Sequence, residues 1–402
     1  MQTPLSGIKV LELSTFVAAP VCCRLLADMG ADVIKVERST GDDWRPTGIG
    51  YQPKRYSNDD NPVFNIYNSG KKHLSLNLKA TEGMEVFHRL LESADVLVTN
   101  TRPAALKRLG LSYEDLKERY PKLVYAIVLG YGEEGPDAEK PAFDTSAFWA
   151  RSGFLRDQSL RKEDYEPVPP PFGVGDTITG YLLMGEICAA LLRREKTGKG
   201  DLVRSCLFHN AIFTMGTMAI IAQQPGGRVY PQDRSGWGAP SGGYQCADGE
   251  WVYVSGYSDK LYPRMYKMLG REDLAENPKF VNAAARKENG KEYYEIIRDA
   301  FLQHPAAYWL EKCKELDIPM TRMGHYSDLS EDPQAWANGY LEEVISPNGN
   351  KNIMPRSPIE MGSVGELTTR VAPAVGADTD VILMELGYTV EQIKAMTDSG
   401  AV

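Results

Sequence analysis

The first part of the chain alternates short apolar runs with helix-like segments, and this alternation constrains the fold more than any other feature of the sequence. Two strand-like runs, Lys9–Leu13 and Asp32–Val36, flank a helix over Pro20–Asp28 that begins with proline. Further strand-like runs follow at His73–Leu78, Asp95–Val98 and Leu123–Leu129. Strands that alternate with helices usually pair in parallel and carry the helices on the faces of the sheet. The sequence therefore predicts an α/β fold with an open, mostly parallel sheet.

The first strand–helix–strand unit invites a dinucleotide-binding interpretation. Glu37 at the end of the second strand favours it, but the first turn, Ser14–Pro20, lacks the G-x-G-x-x-G pattern that lets a pyrophosphate approach the backbone. Ala18 and Ala19 are still small enough to bring another ligand close to the amides at the start of the helix. We expect a Rossmann-like sheet that binds a ligand other than NAD at this turn.

Composition shifts along the chain predict the domain organisation. Residues 1–222 are expected to form the large Rossmann-like domain. The stretch Gln223–Gly243 is rich in glycine, proline and polar residues, as is typical of a linker, and Gly243–Val254 has the pattern of a hairpin. Residues 223–330 are therefore predicted to contain the linker and a smaller α+β domain. Residues 331–402 are predicted to return to the large domain.

Composition also limits the class of protein. The chain has 402 residues, of which 43% are hydrophobic and 25% charged, and its formal net charge is −9, which argues against a general nucleic-acid binder. The six cysteines form no C-x-x-C pair and the five histidines show no metal-ligand spacing, so no metal site is expected. No signal-peptide pattern and no apolar run of about 18 residues occur. We expect a cytoplasmic protein.

Asp176 stands where a glycine-containing turn, Phe172–Gly175, meets a long apolar helix predicted over Thr177–Arg194. A carboxylate at this position is the expected N-cap, and the amides of the first helical turn would keep it ionised. A capping carboxylate whose outer oxygen faces a cleft can also act as a nucleophile. Both roles are compatible, and Asp176 is the candidate catalytic residue.

Loops that follow parallel strands converge on one crevice. Phe16 and Val17, in the first turn, and the segment Phe143–Trp149 are therefore expected near Asp176. Phe148 and Trp149 would either line an apolar substrate pocket or belong to the core. The apolar lining predicts that an apolar part of a ligand binds beside Asp176.

A series of short motifs extends over the whole chain in a specific order and spacing. The motifs are Leu5–Leu13, Ala19-Pro20, Ala27–Glu37, Asn68–Lys71, Ala94–Val96 with Asn100, Gly130–Gly132 with Gly135-Pro136, Gly175-Asp176 with Gly180, Thr197–Gly200, Asp332–Gln334 and Glu385–Tyr388. In this combination the chain resembles the class III (family III) CoA-transferases. Within that family it is most similar to the enzymes of anaerobic amino-acid fermentation that act on 2-hydroxyacyl and 2-enoyl groups.

The resemblance implies a chemistry for Asp176. In this family the matching aspartate attacks the donor thioester to give a mixed anhydride and CoA thiolate, and CoA then returns to form an aspartyl-CoA thioester. The acceptor acid, here expected to be a 2-hydroxy acid such as 2-hydroxyisocaproate or phenyllactate, reverses these steps. CoA and acyl-CoA are thus substrates, and no tightly bound cofactor is expected. The family also forms an interlocked homodimer, which no sequence pattern could show.

Binding residues follow from the resemblance one position at a time. Positions that match CoA contacts of the family are Val17, Ala18, Arg38, Lys71, Asn100, Arg108 and Lys140, with the loop around Lys140 differing in length. Cations suit the phosphate groups of CoA. A mobile glycine loop that keeps water out matches Gly238–Gly243, including Gly242 and Gly243. Without the resemblance, these glycines would indicate a plain linker.

Two alternative functions stay open from the sequence. The α-methylacyl-CoA racemases share the fold and use a histidine next to an aspartate as an acid–base pair, whereas this chain has Ala142-Phe143-Asp144 at that place. A non-catalytic CoA-binding protein is the second alternative. The Gly175-Asp176 motif in its full context argues against it.

Overall fold

A parallel sheet organises the N-terminal part of the chain. Its strands are β1 (Lys9–Leu13), β2 (Asp32–Glu37), β3 (Lys72–Ser75), β4 (Val96–Thr99), β5 (Val124–Leu129) and β6 (Asp201–Cys206). They pair in parallel in the order β3–β2–β1–β4–β5–β6. Every residue of β5 is buried, as expected of a strand covered on both faces. The predicted α/β fold with an open, mostly parallel sheet is confirmed.

The computed structural model describes residues 3–46, 57–158, 170–225, 240–255 and 259–402. Its helices are α1 (Ala18–Asp28), α2 (Pro62–Asn68), α3 (Thr81–Ser93), α4 (Pro103–Leu109), α5 (Tyr113–Leu116), α6 (Phe154–Asp157), α7 (Val174–Thr197), α8 (Leu207–Thr214), α9 (Gly216–Gln223), α10 (Tyr262–Leu269), α11 (Ala283–Glu288), α12 (Gly290–Phe301), α13 (Ala306–Glu315), α14 (Pro333–Ala337), α15 (Thr379–Glu385) and α16 (Val390–Asp398). The remaining strands are β7 (Gly242–Gln245), β8 (Trp251–Val254), β9 (Met320–Arg322), β10 (Leu341–Ile345) and β11 (Lys351–Pro355).

The chain divides into two compact units. Unit 1 comprises residues 1–154, 170–220 and 332–402 and contains the parallel sheet, and unit 2 comprises residues 155–169 and 221–331. In unit 2 an antiparallel sheet in the order β7–β8–β9 packs with helices α10, α12 and α13 around an apolar core. The predicted hairpin is confirmed, because β7 pairs antiparallel with β8.

Close packing of α7 on α1 requires glycine at position 180. A Cβ atom there would lie 2.1 Å from Val21 Cγ1 and 2.6 Å from the backbone oxygen of Ala18. By length and composition α7 could also cross a membrane, but Leu183 and Ile187 are fully buried within unit 1. The helix therefore packs against the parallel sheet as part of the core of unit 1.

Buried ion pairs lie beneath the first strand-to-helix turn. Lys35 Nζ is 2.8 Å from Glu12 Oε1 and 2.9 Å from Asp42 Oδ2, and Lys71 Nζ is 2.7 Å from Glu12 Oε2. The side chains of all four residues are inaccessible to solvent. Burial alone would raise the pKa of Glu12, but the two lysines lower it to about 2. Such pairs are stable only while every member keeps its partner.

Two helix starts follow directly from local sequence. Ser112 and Thr389 each occupy the N-cap of a capping box, in the patterns S-x-x-D and T-x-x-Q. In each box the N-cap side chain accepts a hydrogen bond from the backbone amide of the third helical residue, and the side chain of that residue accepts one from the N-cap amide. The capping box predicted at Ser112 and Asp115, and the one predicted at Thr389 and Gln392, are confirmed.

Candidate active site

Asp176 is the third residue of α7 rather than its N-cap. The helix begins at Val174, and Gly173, at φ 68°, occupies the N-cap position and has no side chain to cap it. The predicted capping role of Asp176 is therefore wrong: a left-handed glycine turns the chain into the helix three residues earlier than the sequence pattern indicates. At this position the Asp176 carboxylate does not cap the backbone amides of α7.

Asp144 supplies the cap that α7 lacks. Its Oδ1 accepts a hydrogen bond from the Asp176 amide at 3.0 Å, and the amides of Gly173 and Gly175 also donate to this carboxyl group. Its Oδ2 accepts from Trp149 Nε1 at 3.1 Å. Asp144 itself is 6% exposed. Burial raises the pKa of the Asp144 carboxyl group, and these donors offset part of that shift, so the N-terminal amides of α7 stabilise charge on Asp144 rather than on Asp176.

The charge state of Asp176 differs from the sequence-based expectation. Burial raises the pKa of Asp176 to about 7, and the neighbouring Asp144 carboxylate contributes to the same shift. The expectation that helix amides keep this residue fully ionised is wrong, because those amides are occupied by Asp144. At neutral pH both protonation states of Asp176 are populated.

A cavity of about 220 Å³ lies at the carboxyl ends of β1, β4 and β5, and Asp176 is on its wall. The structure brings to this cavity the following residues predicted from sequence: Phe16, Val17, Ala18, Asn100, Lys140 and Asp176. Arg102, Phe143 and Asp144 line it as well. Arg102 was missed, although it follows Asn100 by two residues at the same strand end. Of the described residues on this wall, none is a histidine, which disfavours racemase chemistry.

The turn after β1 is held in place from two sides. Asn100 accepts a hydrogen bond from the Thr15 amide at 3.1 Å and donates one to the Thr15 carbonyl oxygen at 2.6 Å. Asp42 Oδ1 accepts from the Phe16 amide at 3.1 Å, and Phe16 has a left-handed backbone at φ 65°. A non-glycine residue in this region is strained unless its surroundings fix it. Asn100 is therefore a support of the turn as well as a wall of the cavity.

Aromatic side chains surround Phe16. Its ring lies 5.4 Å from that of Phe143 and 6.2 Å from that of Trp44, measured between centroids. Trp44 stacks on Phe172 at 5.3 Å and approaches Tyr67 at 6.2 Å. Phe143 and Phe172 remain mostly exposed. We call Phe16, Trp44, Tyr67, Phe143 and Phe172 the aromatic cluster. The sequence placed only Phe16 and Phe143 near Asp176, because the other members come from separate segments of the chain.

Phe148 and Trp149 belong to the core. Phe148 is fully buried and Trp149 is 5% exposed, and Phe148 packs beneath Gly175, where a Cβ atom would lie 2.4 Å from its ring. This arrangement does not support the predicted pocket role of the two residues. Their function in the described structure is to shape the start of α7.

A second cavity, of about 480 Å³, lies at the carboxyl ends of β1 and β2. Arg38 lines it and forms an exposed ion pair with Asp43. Lys79 and Asn77 lie on the same wall. Arg108 is exposed on α4. Arg38 is thus placed where a mobile anionic group from solvent could reach it.

Lys71 does not face either cavity. Besides its ion pair with Glu12, its ammonium group donates to the Pro20 carbonyl oxygen at 2.9 Å and to Asn68 Oδ1 at 3.0 Å. The side chain is fully buried. The predicted contact between Lys71 and CoA does not fit this geometry, because all three donors of the ammonium group are used inside the protein. Lys71 is better described as a support of the first turn.

The glycines predicted to form a mobile loop fall partly within the described residues. Gly242 and Gly243 lie in β7, paired with Val254 and Tyr253, and Gly242 has φ 142°. Gly238 lies outside the described residues. The loop and its role stay a prediction.

Comparisons with known proteins identify the family of this chain. A model of CoA-transferase family III matches residues 5–379. The (R)-2-hydroxy-4-methylpentanoate CoA-transferase of Clostridioides difficile is 37% identical over 400 residues, which cover 99% of both chains. The cinnamoyl-CoA:phenyllactate CoA-transferase of Clostridium sporogenes is 37% identical over 395 residues, covering 97% of this chain and 95% of that one.

Solved structures share the fold. Rv3272 from M. tuberculosis superposes with a TM-score of 0.81 at 26% identity and covers 94% of this chain and 99% of its own. A CAIB/BAIF family protein from Brucella suis superposes with a TM-score of 0.80 at 28% identity, covering 96% and 100%.

The shared fold, the family match and the two named relatives define a transferase that acts on CoA thioesters. The chain belongs to CoA-transferase family III.

Proposed function

We propose that this CoA-transferase moves CoA from an acyl-CoA donor to a 2-hydroxy acid of the size of 2-hydroxyisocaproate or phenyllactate. The observation that carries the proposal is the position of Asp176, whose carboxylate reaches a cavity bordered by Phe16, Val17 and Phe143. Two relatives at 37% identity carry names that specify such acids. The wall carries both polar and apolar side chains, and the apolar ones suit an acid with a branched or aromatic tail.

The proposed reaction uses Asp176 twice. Its carboxylate attacks the thioester carbonyl carbon, the carbon–sulfur bond breaks, and CoA leaves as the thiolate while an acyl–aspartyl anhydride remains. The thiolate then attacks the aspartyl carbonyl, so that an aspartyl-CoA thioester forms and the donor acid leaves as its carboxylate. The acceptor carboxylate reverses both steps. No net proton transfer is needed when Asp176 starts ionised.

Substrate preference tests the acyl part of this proposal. We expect kcat/KM for 2-hydroxyisocaproate and phenyllactate to exceed that for oxalate and formate at least about tenfold, because each methylene in an apolar pocket contributes roughly 1 to 3 kcal/mol. The measurement is the initial rate of acyl-CoA formation, by chromatography, with one donor and each acid in turn. Equal or higher activity with oxalate would refute the substrate class and leave CoA transfer itself intact.

CoA recognition is proposed to involve Arg38 at the second cavity. Arg38→Ala should raise KM for acyl-CoA about fivefold with little change in kcat, since one exposed charge contact contributes roughly 1 kcal/mol in ground and transition states alike. Arg89→Ala is the matched control, because Arg89 is also a half-exposed arginine paired with a carboxylate, Glu85. A loss confined to kcat would place Arg38 at the reacting centre instead.

We further propose that unit 2 is the small domain of the family and that the enzyme acts in the cytoplasm.

We also propose that two chains form an interlocked homodimer. Apolar side chains on α8 and α9 support an association surface, since Phe213 is 82% exposed and Ile220 is 60% exposed. Sedimentation velocity would show twice the 44.6 kDa mass of one chain.

A further inference from the structure

The carboxyl groups of Asp144 and Asp176 are linked through the first turn of α7. All contacts recorded for the Asp144 carboxyl group come from donors, namely backbone amides of α7 and the Trp149 indole. These donors favour the ionised form of Asp144, in opposition to burial, which raises the pKa of its carboxyl group. Its hydrogen bond to the Asp176 amide fixes the backbone from which the nucleophile projects, and its charge faces the same cavity.

We propose that Asp144 is a positioning residue that holds the start of α7 and, through its negative charge, makes the Asp176 carboxylate a stronger nucleophile. The proposal rests on the proposed role of Asp176 as nucleophile. It assigns Asp144 no bond to the substrate. The residue acts through the amide and the charge state of its neighbour.

The chemistry explains why a second carboxylate is useful at this place. Two like charges in a partly buried site raise the free energy of the state in which both are ionised. When Asp176 attacks a thioester, its own charge disappears into the anhydride and the electron pair of the broken carbon–sulfur bond leaves with CoA. Repulsion from Asp144 therefore raises the free energy of the ionised Asp176 carboxylate. The covalent intermediates do not carry that charge, so the repulsion is relieved when they form. The disadvantage is that Asp176 is protonated in a fraction of the molecules near neutral pH.

Other groups that could influence this titration are few and identifiable. On the described part of the cavity wall, the charged side chains besides the two aspartates are Arg102, Glu139 and Lys140. Tyr67 of α2 and Tyr181 of α7 are also near this end of the helix, and burial raises the pKa of both hydroxyl groups, so each is neutral in the working range. Burial with the Asp144 charge accounts for the raised pKa of Asp176.

The pH dependence of kcat/KM tests the inference. In the wild type the rate should rise with pH through an acid limb near pH 7, because only ionised Asp176 attacks. In Asp144→Asn the limb should move to lower pH by on the order of one unit, and the rate on the alkaline plateau should fall, since the lone carboxylate is a weaker nucleophile. Asp144→Ser, which also removes the charge but keeps an oxygen acceptor for the helix amides, should shift the limb in the same direction.

Trp149→Phe is the matched control, since it removes the indole donor but leaves the carboxylate, and its acid limb should stay at the wild-type position. An unshifted limb in folded Asp144→Asn or Asp144→Ser would overturn the inference. A wild-type limb near pH 4 would overturn it without any variant. If Asp176→Ala remained active, the nucleophile assignment itself would fail, so the two failures are distinguishable.

Discussion

Asp176→Ala should lower CoA transfer at least about a thousandfold, the scale seen when a covalent nucleophile is removed. The fold should survive, because Asp176 is not the cap of α7 and its loss also removes a buried charge next to Asp144. Initial rates of acyl exchange and the thermal unfolding midpoint measure the two effects. A variant with substantial turnover would exclude Asp176 as the nucleophile.

Chemical trapping gives an independent view of the same residue. Hydroxylamine added with donor acyl-CoA should inactivate the wild type, since it attacks the activated aspartyl carbonyl and leaves a hydroxamate on Asp176. Mass spectrometry of the peptide containing residue 176 locates the product. Glu195→Ala is the control: it removes an exposed acid at the other end of α7 and should keep wild-type activity and trapping.

Gly175→Ala should reduce kcat/KM on the order of a hundredfold. A Cβ atom at this position would lie 2.3 Å from Asp144 Oδ1 and 2.4 Å from Phe148 Cγ, so the start of α7 and its capping carboxylate must move apart. A displacement of about 1 Å at a reacting centre is enough for such a loss. Steady-state kinetics together with a pH profile measure it.

Gly185→Ala serves as the matched control on the same helix. A Cβ atom there meets nothing within 4 Å, and alanine in a helix interior is favoured over glycine by roughly 0.5 to 1 kcal/mol. We expect wild-type activity and a slightly higher unfolding temperature. If Gly175→Ala behaved like Gly185→Ala, the tight contact with Asp144 would have no catalytic importance.

The parts of this molecule that could be predicted from sequence are those set by local pattern. The strand Lys9–Leu13 and the capping box at Ser112 depend on neighbours in the chain, and both were correct. The convergence of Phe16, Val17 and Phe143 with Asp176 on one cavity also followed, because it is a property of parallel sheets.

Features that depend on distant partners could not be predicted in this way. Asp144 caps a helix that begins 30 residues later in the sequence, and its charge adds to the effect of burial in raising the pKa of Asp176. Lys71 matched a ligand position by motif but turned inward, because its ammonium group pairs with Glu12. A lysine at a motif position does not reveal whether its ammonium group will meet an anion of the protein or an anion of the ligand.

The buried ion pairs beneath the first turn restrict how this enzyme can diverge. Glu12, Asp42, Lys35 and Lys71 balance as two carboxylates and two ammonium groups, and neutralising one of them leaves a partner charge without compensation at a cost of roughly 3 to 5 kcal/mol. Substitutions in this group are therefore tolerated in pairs rather than singly. A laboratory library that varies these positions one at a time should recover mainly the starting residues, whereas Phe143 and Phe172, the exposed rings of the aromatic cluster, can change with the acid that the enzyme meets.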